Sequence, residues 1–224
     1  MITPLYPLPN TVLFPKTPIH LHIFEEHHQA MVRDAMAGDR KLTVALAHAE
    51  VESEYESIEN VHEIACLGLI ETFEELENGD YDVVVVGLNR VRIALETQRF
   101  PYLMAEVENV RDISRDECSD ALIVRHDRIN GLFTRFVELA AEGAMMPEKN
   151  REAGRIMPQM DFELLVNTVA MTLNITSEQK QGLLEMDDLF NRCDLLCAIL
   201  QQQIETLDII RRFDHLKPDA PHFN

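Results

Sequence analysis

Four histidines and two glutamates lie close together near the amino terminus, at His20, His22, Glu25, Glu26, His27 and His28. Imidazole nitrogens and carboxylate oxygens bind zinc and similar ions. If this segment begins as a strand, His20 and His22 lie on the same face, and His27 or His28 can approach from the next turn. One hypothesis is therefore a metal site that uses His20, His22 and His27. The alternative, which we favour, is that these histidines are exposed surface residues and that the chain has no cofactor.

A second pair of metal-binding side chains, Cys193 and Cys197, is spaced so that both lie on one face of a helix. With a nearby histidine, the two thiols could bind zinc. Cysteines on an apolar helical stripe more often pack in a core, and this is our prediction. The acidic run at residues 50–59 lacks the Asp-rich spacing and the central glycine of a calcium-binding loop, so we predict a solvated loop there.

Motifs for ATP hydrolysis and for nucleophilic proteolysis are absent from the sequence. None of the eight glycines is followed by lysine, so the phosphate-binding loop Gly-x-x-x-x-Gly-Lys is missing. None of the five serines lies in a Gly-x-Ser-x-Gly elbow, and no Ser-Lys dyad is recognisable. We therefore predict that the chain is not an enzyme.

Charge and hydropathy exclude two classes of partner. The formal net charge of −19 and the pI near 4.8 repel phosphate backbones, so we predict no binding to nucleic acid. No apolar run approaches the roughly 20 residues that cross a bilayer, so we predict no membrane association. The four cysteines form no Cys-x-x-Cys motif, which is typical of reduced thiols and indicates a cytoplasmic protein.

The amino-terminal half carries the pattern of a barrel of short strands. Ile19, Leu21 and Ile23 alternate with histidines, as in a strand with one buried face. Residues 25–37 then have helical spacing and are followed by a glycine that can end a helix. Asn and Gly within residues 77–80 predict a hairpin. We also predict a second turn at residues 87–90, between two separate strands. These elements predict a closed or partly closed β-barrel with one short helix.

The carboxyl-terminal half has helical periodicity. Apolar residues repeat with helical spacing in three long segments, and Thr176 with Gln179 fits a capping box at the start of a short helix. We therefore predict an α+β protein with a β-barrel domain at residues 1–112, a helical bundle at residues 113–216 and a loosely ordered tail at residues 217–224.

The sequence resembles the amino-terminal substrate-binding domain of Lon proteases, which is a PUA-like module. The resemblance begins with Leu13-Phe14-Pro15, Leu21-His22-Ile23-Phe24-Glu25, Met31-Val32 and Gly38-Asp39-Arg40. It continues in order through Leu67-Gly68-Leu69-Ile70, Gly79-Asp80-Tyr81, Val86-Gly87-Leu88 and Arg90-Val91-Arg92-Ile93. Two positions depart from the family pattern. Lys16 stands where the family often has glycine, and His27-His28 stands where it often has an Arg-Tyr pair.

This resemblance implies a non-catalytic module that recognises polypeptides and is associated with protein quality control or proteolysis. We expect a stand-alone form without the ATPase and protease modules. Its partners would be unfolded or tagged polypeptides. A separate ATPase or protease, to which the chain would dock as an adaptor, stays open as a further partner. Phe24, Phe100 and Tyr102 are our candidates for contact with a polypeptide near the junction of barrel and bundle, with carboxylates on the rim. The alternative for each of them is a place in the barrel core.

A different class of function stays open from the sequence. The chain could be a small-ligand-binding or metal-dependent protein that uses a cleft between barrel and bundle and the set of His20, His22, His27 and His28. An enclosed pocket with converging polar groups would favour this function, and a shallow apolar groove would favour polypeptide binding.

Overall fold

The computed structural model describes residues 1–48, 57–113, 120–142 and 160–213. The chain divides into two compact units. The first contains residues 1–114 together with residues 167–189, and the second contains residues 115–166 and 190–224. Residues 167–189 therefore belong with the strands, whereas we predicted a single helical bundle over residues 113–216.

Six strands form a single sheet, which is almost wholly antiparallel. They are β1 (Ile2–Leu8), β2 (Pro18–Ile23), β3 (Lys41–Leu46), β4 (Ile64–Glu75), β5 (Tyr81–Gln98) and β6 (Met104–Asn109). Their order is β2-β5-β4-β3-β1-β6, and β6 pairs again with β5, so that five strands close into a ring. Only β1 and β3 run parallel. The predicted α+β fold with an amino-terminal barrel is confirmed.

Strand β5 is longer than we predicted, and the turn predicted at residues 87–90 is wrong. The strand continues through Gly87, pairing with β2 along residues 81–86 and with β6 along residues 91–98. Gly87 accepts a hydrogen bond from the Lys16 amide at 2.7 Å and donates one to the Thr17 carbonyl at 3.0 Å. A Cβ atom on Gly87 would lie 2.1 Å from the Phe14 carbonyl oxygen. The glycine therefore permits a close approach of two backbones and does not mark a turn.

The first helix, α1 (Glu26–Ala37), packs its apolar stripe against the sheet. Met31, Val32 and Ala35 are buried in one cluster with the inward side chains of β2, β4 and β5. A second cluster draws on all five strands of the ring, with Leu5, Ala45, Ala65, Val91, Ala105 and Val107 among its members. Burial of these apolar side chains stabilises the first unit.

Buried polar side chains hold residues 167–189 against the strands of the same unit. This segment contains the end of α3 (Phe162–Thr172) and all of α4 (Ser177–Glu185). Asn167 donates to the Pro15 carbonyl at 3.0 Å, and Gln181 donates to the Ile64 carbonyl at 2.8 Å. The predicted capping box is confirmed, since the Thr176 hydroxyl accepts from the Gln179 amide at 3.2 Å and the Gln179 side chain accepts from the Thr176 amide at 3.0 Å.

The second unit contains α2 (Asp120–Glu142) and nearly all of α5 (Leu189–Phe213). Arg125 pairs with Asp194 at 2.8 Å, and Arg135 pairs with Asp208 at 3.6 Å. The second ion pair lies nearer the carboxyl end than the first in both helices, so α2 and α5 run in the same direction. None of the helices in the part of the chain that the structure describes combines the length and the apolar character needed to cross a bilayer.

Candidate functional site

A groove of roughly 480 Å³ lies on the sheet across β2, β5 and β4. It is lined by His20, Leu21, His22, Thr72, Phe73, Glu74, Asp82, Val83 and Val84. The alternation predicted for β2 is confirmed, because Ile19, Leu21 and Ile23 are buried while His20 and His22 are exposed. The groove therefore combines imidazole and carboxylate groups with apolar surface from the adjoining strands.

His22 is the electrostatic centre of this groove. Its Nδ1 lies 2.7 Å from an Asp82 oxygen, and its Nε2 lies 3.2 Å from an Asp80 oxygen. The hydrogen bond with Asp82, reinforced by the charges of both carboxylates, raises the pKa of His22 above its ordinary value of 6.5. The proton on His22 therefore decides how much of the negative charge of the two aspartates is neutralised.

The hairpin between β4 and β5 positions Asp80 beside His22. Gly79 has a φ of 88°, a conformation that glycine adopts without steric cost. Asn78 donates to the Asp80 carboxylate at 2.7 Å and accepts from the Asp80 amide at 3.1 Å. The predicted hairpin at residues 77–80 is thus confirmed, and it also fixes a carboxylate at the groove.

Phe24 adds an exposed aromatic ring next to the groove. It follows β2 directly, and 64% of the residue is exposed. Its ring lies 6.3 Å from the ring of His22 in a stacked arrangement. The Gln29 side chain donates to the Gly79 carbonyl at 3.1 Å and to the Phe24 carbonyl at 3.4 Å, which ties this segment to the hairpin. Phe24 therefore presents apolar surface from a backbone that is held in place.

Phe100 and Tyr102 occupy different environments. Phe100 is 68% exposed, whereas Tyr102 is only 7% exposed and belongs to the core cluster beneath α1. The Tyr102 hydroxyl donates to Asp34 of α1 at 2.8 Å. Burial and this hydrogen bond raise the pKa of Tyr102 to about 12. Of our three candidates, Phe24 and Phe100 are available at the surface, and Tyr102 instead anchors the loop that carries Phe100 against α1.

The histidines that we grouped as potential metal ligands fall into two places. His20 and His22 face the groove, whereas His27 and His28 lie in the first turn of α1. Among the described residues, one set of three potential ligands comes together, formed by Glu25, His27 and His28, with ligand atoms within 4.8 Å of one another. His20, His22 and His27 do not form such a set among the described residues. His22 pairs instead with Asp80 and Asp82 at the groove.

The cysteine pair on α5 is buried, in agreement with packing. Cys193 and Cys197 are both fully buried and unpaired by disulfides. The hydrogen bond with Cys197, together with burial, raises the pKa of Cys193. No third metal ligand accompanies the two thiols within residues 120–142 and 160–213. Most of the acidic run at residues 50–59, which we predicted to be a solvated loop, lies outside the described residues, as do Cys118 and the tail at residues 217–224.

The carboxylates of the groove were not identified individually from the sequence. Asp82 is the one charged side chain among the apolar residues at the start of β5, and Asp80 belongs to the hairpin. Only the register between β2 and β5 shows that Asp82 lies opposite His22. Asp80 reaches the other nitrogen of the same ring from the hairpin. The signal that the sequence offered was a single charged residue, Asp82, within the apolar start of β5.

Comparison with known proteins identifies the family of this chain. The family described as "ATP-dependent protease La (LON) substrate-binding domain" matches residues 2–202. A Lon protease of Syntrophomonas wolfei is 26% identical over 215 residues, which cover 94% of this chain and 25% of that protein. A Lon protease 2 of Herpetosiphon aurantiacus is 27% identical over 206 residues, which cover 92% of this chain and 24% of that protein. The chain thus spans about a quarter of the length of these relatives.

Two solved structures share the fold. The amino-terminal domain of a Lon protease from the Mycobacterium avium complex superposes with a TM-score of 0.68 at 16% identity, covering 90% of this chain and 98% of that one. A Lon N-terminal domain protein from Xanthomonas campestris gives a TM-score of 0.62 at 21% identity, covering 88% of this chain and 98% of that one. At these identities the likeness establishes the architecture alone.

Proposed function

We propose that this chain, which belongs to the family of LON substrate-binding domains, recognises unfolded polypeptide segments for proteolysis and catalyses no reaction itself. The observation that carries the proposal is the groove across β2, β5 and β4, with the exposed ring of Phe24 beside it. A groove of this kind can take side chains of an extended segment. Covering an exposed apolar ring beside the groove removes it from water, which favours binding of the partner.

The charges around the groove indicate which polypeptides it would prefer. Glu74, Asp80 and Asp82 contribute carboxylates, and His22 is the group that partly neutralises two of them. The chain as a whole carries a formal charge of −19. We therefore propose that the preferred segments combine apolar or aromatic residues with lysine or arginine, because such segments are attracted electrostatically before the apolar contact forms.

The remaining parts of the proposal concern the setting of the module. The absence of a phosphate-binding loop and of a serine nucleophile motif from the sequence supports a role without catalysis. An ATP-dependent protease activity, on the same chain or a separate one, would then act on the bound polypeptide. Cys66, Cys193 and Cys197 form no disulfide bonds, which supports a cytoplasmic setting.

A pair of labelled unstructured peptides tests the preference for charge. The two peptides share their apolar residues, and one carries lysine where the other carries glutamate. We expect the lysine peptide to bind at least about tenfold more tightly, a difference of about 1.4 kcal/mol, when fluorescence anisotropy is measured at low salt. Equal affinity for both peptides, or no saturable binding of either, would overturn the proposal.

Because His22 titrates, the same binding experiment can be repeated as a function of pH. The aspartates raise the pKa of His22, so this residue stays protonated to a higher pH than an isolated histidine. Loss of that proton leaves more negative charge at the groove, while lysine remains charged. We expect binding of the lysine peptide to strengthen as the pH rises through the pKa of His22. In the His22→Gln variant this pH dependence should be clearly smaller, and His20 is the other histidine that lines the groove.

A further inference from the structure

The first turn of α1 holds three potential metal ligands outside the groove. Glu25 precedes the helix, and one of its carboxylate oxygens lies 2.6 Å from Nδ1 of His28. The same oxygen lies 3.9 Å from Nε2 of His27. The two imidazole rings are 4.0 Å apart between centroids. We propose that Glu25, His27 and His28 bind one divalent transition-metal ion of the zinc type.

The distances suit such an ion after small side-chain rotations. Zinc bonds to nitrogen and oxygen are about 2.0–2.1 Å long, so tetrahedral ligand atoms lie about 3.3 Å apart. The separations of 2.6 Å between Glu25 and His28 and of 3.9 Å between Glu25 and His27 lie on either side of that value. Two imidazoles and one carboxylate are also a ligand set that zinc sites use, with water in the fourth position.

The surroundings hold His28 in place and leave the other two ligands accessible. His28 is only 5% exposed, and its ring meets the ring of Tyr6 edge-on at 4.5 Å. The side chain of His27 is 42% exposed, which gives an ion and its bound water a route to the site. A buried ligand loses little conformational freedom on binding, so much of the ordering cost is already met by the fold.

The charge at this position has to be weighed against the helix dipole. The amino-terminal end of a helix carries a partial positive charge, which disfavours a cation. The carboxylate of Glu25 offsets this repulsion between the helix end and the cation, because it carries the one formal negative charge among the ligands. The proposal therefore predicts a strong dependence on Glu25, stronger than a loose association of an ion with surface histidines would show.

A bound ion would affect the surface used in the proposed function, although the inference does not rest on that function. Glu25 is adjacent to Phe24, and both lie between the end of β2 and the start of α1. An ion that joins Glu25 to the first turn of α1 would add a further constraint on the backbone that carries the exposed ring.

Calorimetric titration of the full chain, freed of metal, with zinc chloride tests the site. We expect one saturable site per chain, and at least about tenfold weaker binding by both Glu25→Gln and His27→Ala. His20→Ala, an exposed histidine on β2, is the matched control and should bind as the unaltered chain does. His28 is not substituted, because its packing against Tyr6 makes loss of folding a competing explanation.

Cobalt provides an independent measurement on the unaltered chain. A tetrahedral site with two imidazoles should give visible absorption that zinc abolishes by competition. No saturable zinc binding, or the same loss of affinity in His20→Ala as in His27→Ala, would overturn the proposal. If either ligand variant unfolds, the cobalt spectrum decides: absence of a tetrahedral band overturns the site, and its presence supports the site.

Discussion

Replacement of Arg90 by methionine is expected to lower the free energy of unfolding by about 3 kcal/mol, the lower end of the range for breaking a buried ion pair. Arg90 is 2% exposed and lies on β5. Its guanidinium contacts Asp112 at 2.7 Å and Asp187 at 3.1 Å, and it donates to the Leu184 carbonyl at 2.9 Å. It thus connects β5 to the end of α4, to the segment that follows α4 and to the segment that follows β6.

The physical reason for a large effect is that methionine fills the space but replaces none of these bonds. The Leu184 carbonyl loses its buried donor, which costs about 1–3 kcal/mol by itself. The side chains of Asp112 and Asp187 are partly exposed, at 27% and 58%, so they can turn toward water. Because water can solvate both carboxylates in this way, we place the expected loss of unfolding free energy at the lower end of the range for buried ion pairs.

Arg92 provides the matched control on the same strand. It pairs with Glu63, and the two side chains are 48% and 61% exposed. Exposed ion pairs contribute about 1 kcal/mol or less, so Arg92→Met should change stability little. Urea unfolding of both variants and of the unaltered chain makes the comparison. A loss of similar size in both variants would show that burial of Arg90 is not what gives it its importance.

Replacement of Gly87 by alanine is expected to destabilise the barrel by about 3 kcal/mol, at the upper end of the usual range for overpacking. The added Cβ would lie 2.1 Å from the Phe14 carbonyl oxygen and 3.0 Å from the Cys66 sulfur. Because the nearest atom belongs to the backbone, a rotamer change cannot relieve the clash. The bond from the Lys16 amide to the Gly87 carbonyl must lengthen or break.

Gly182 gives the opposite expectation within the same unit. It lies in α4, and an added Cβ would meet nothing within 4 Å. Alanine favours a helix over glycine by about 1 kcal/mol, so Gly182→Ala should raise the midpoint of thermal unfolding while Gly87→Ala lowers it. If both variants shifted the midpoint in the same direction, the close approach at Gly87 would not be the controlling contact.

The sequence predicted the architecture well because the periodicity of apolar residues is local information. The alternation along β2, the capping box at Thr176 and the hairpin at Gly79 each depend on neighbouring residues only. Gly87 was misinterpreted because a glycine that turns the chain and one that admits a second backbone look the same in sequence. The difference lies in Phe14 and Lys16, which are distant along the chain.

The departure at Lys16 has a structural explanation. This residue has a φ of 65°, in the left-handed region that glycine adopts most easily. A glycine at this position in related sequences would meet the same backbone requirement without strain. Lys16 retains the conformation because its amide bonds to Gly87 in the adjacent strand.

The candidate site was less predictable than the fold. His20 and His22 could be placed on one exposed face from the alternation alone. Their division from His27 and His28 depends on the geometry of the first turn of α1, and the pairing of His22 depends on strand register. Tyr102 is aromatic and follows a proline, as an exposed loop residue can, but the contact with Asp34 draws it into the core.

The central claim is that the groove and Phe24 hold an unfolded polypeptide. Its most direct test is the titration of the labelled lysine peptide with the unaltered chain, with Phe24→Ser and with Leu95→Ser. Leu95 is also an exposed apolar residue, at 57%, but it lies on the part of β5 that pairs with β6, outside the groove. We expect Phe24→Ser to weaken binding by about tenfold or more, because burial of an aromatic ring contributes about 1.5–3 kcal/mol, and Leu95→Ser to bind as the unaltered chain does. Unchanged binding by Phe24→Ser would contradict the claim.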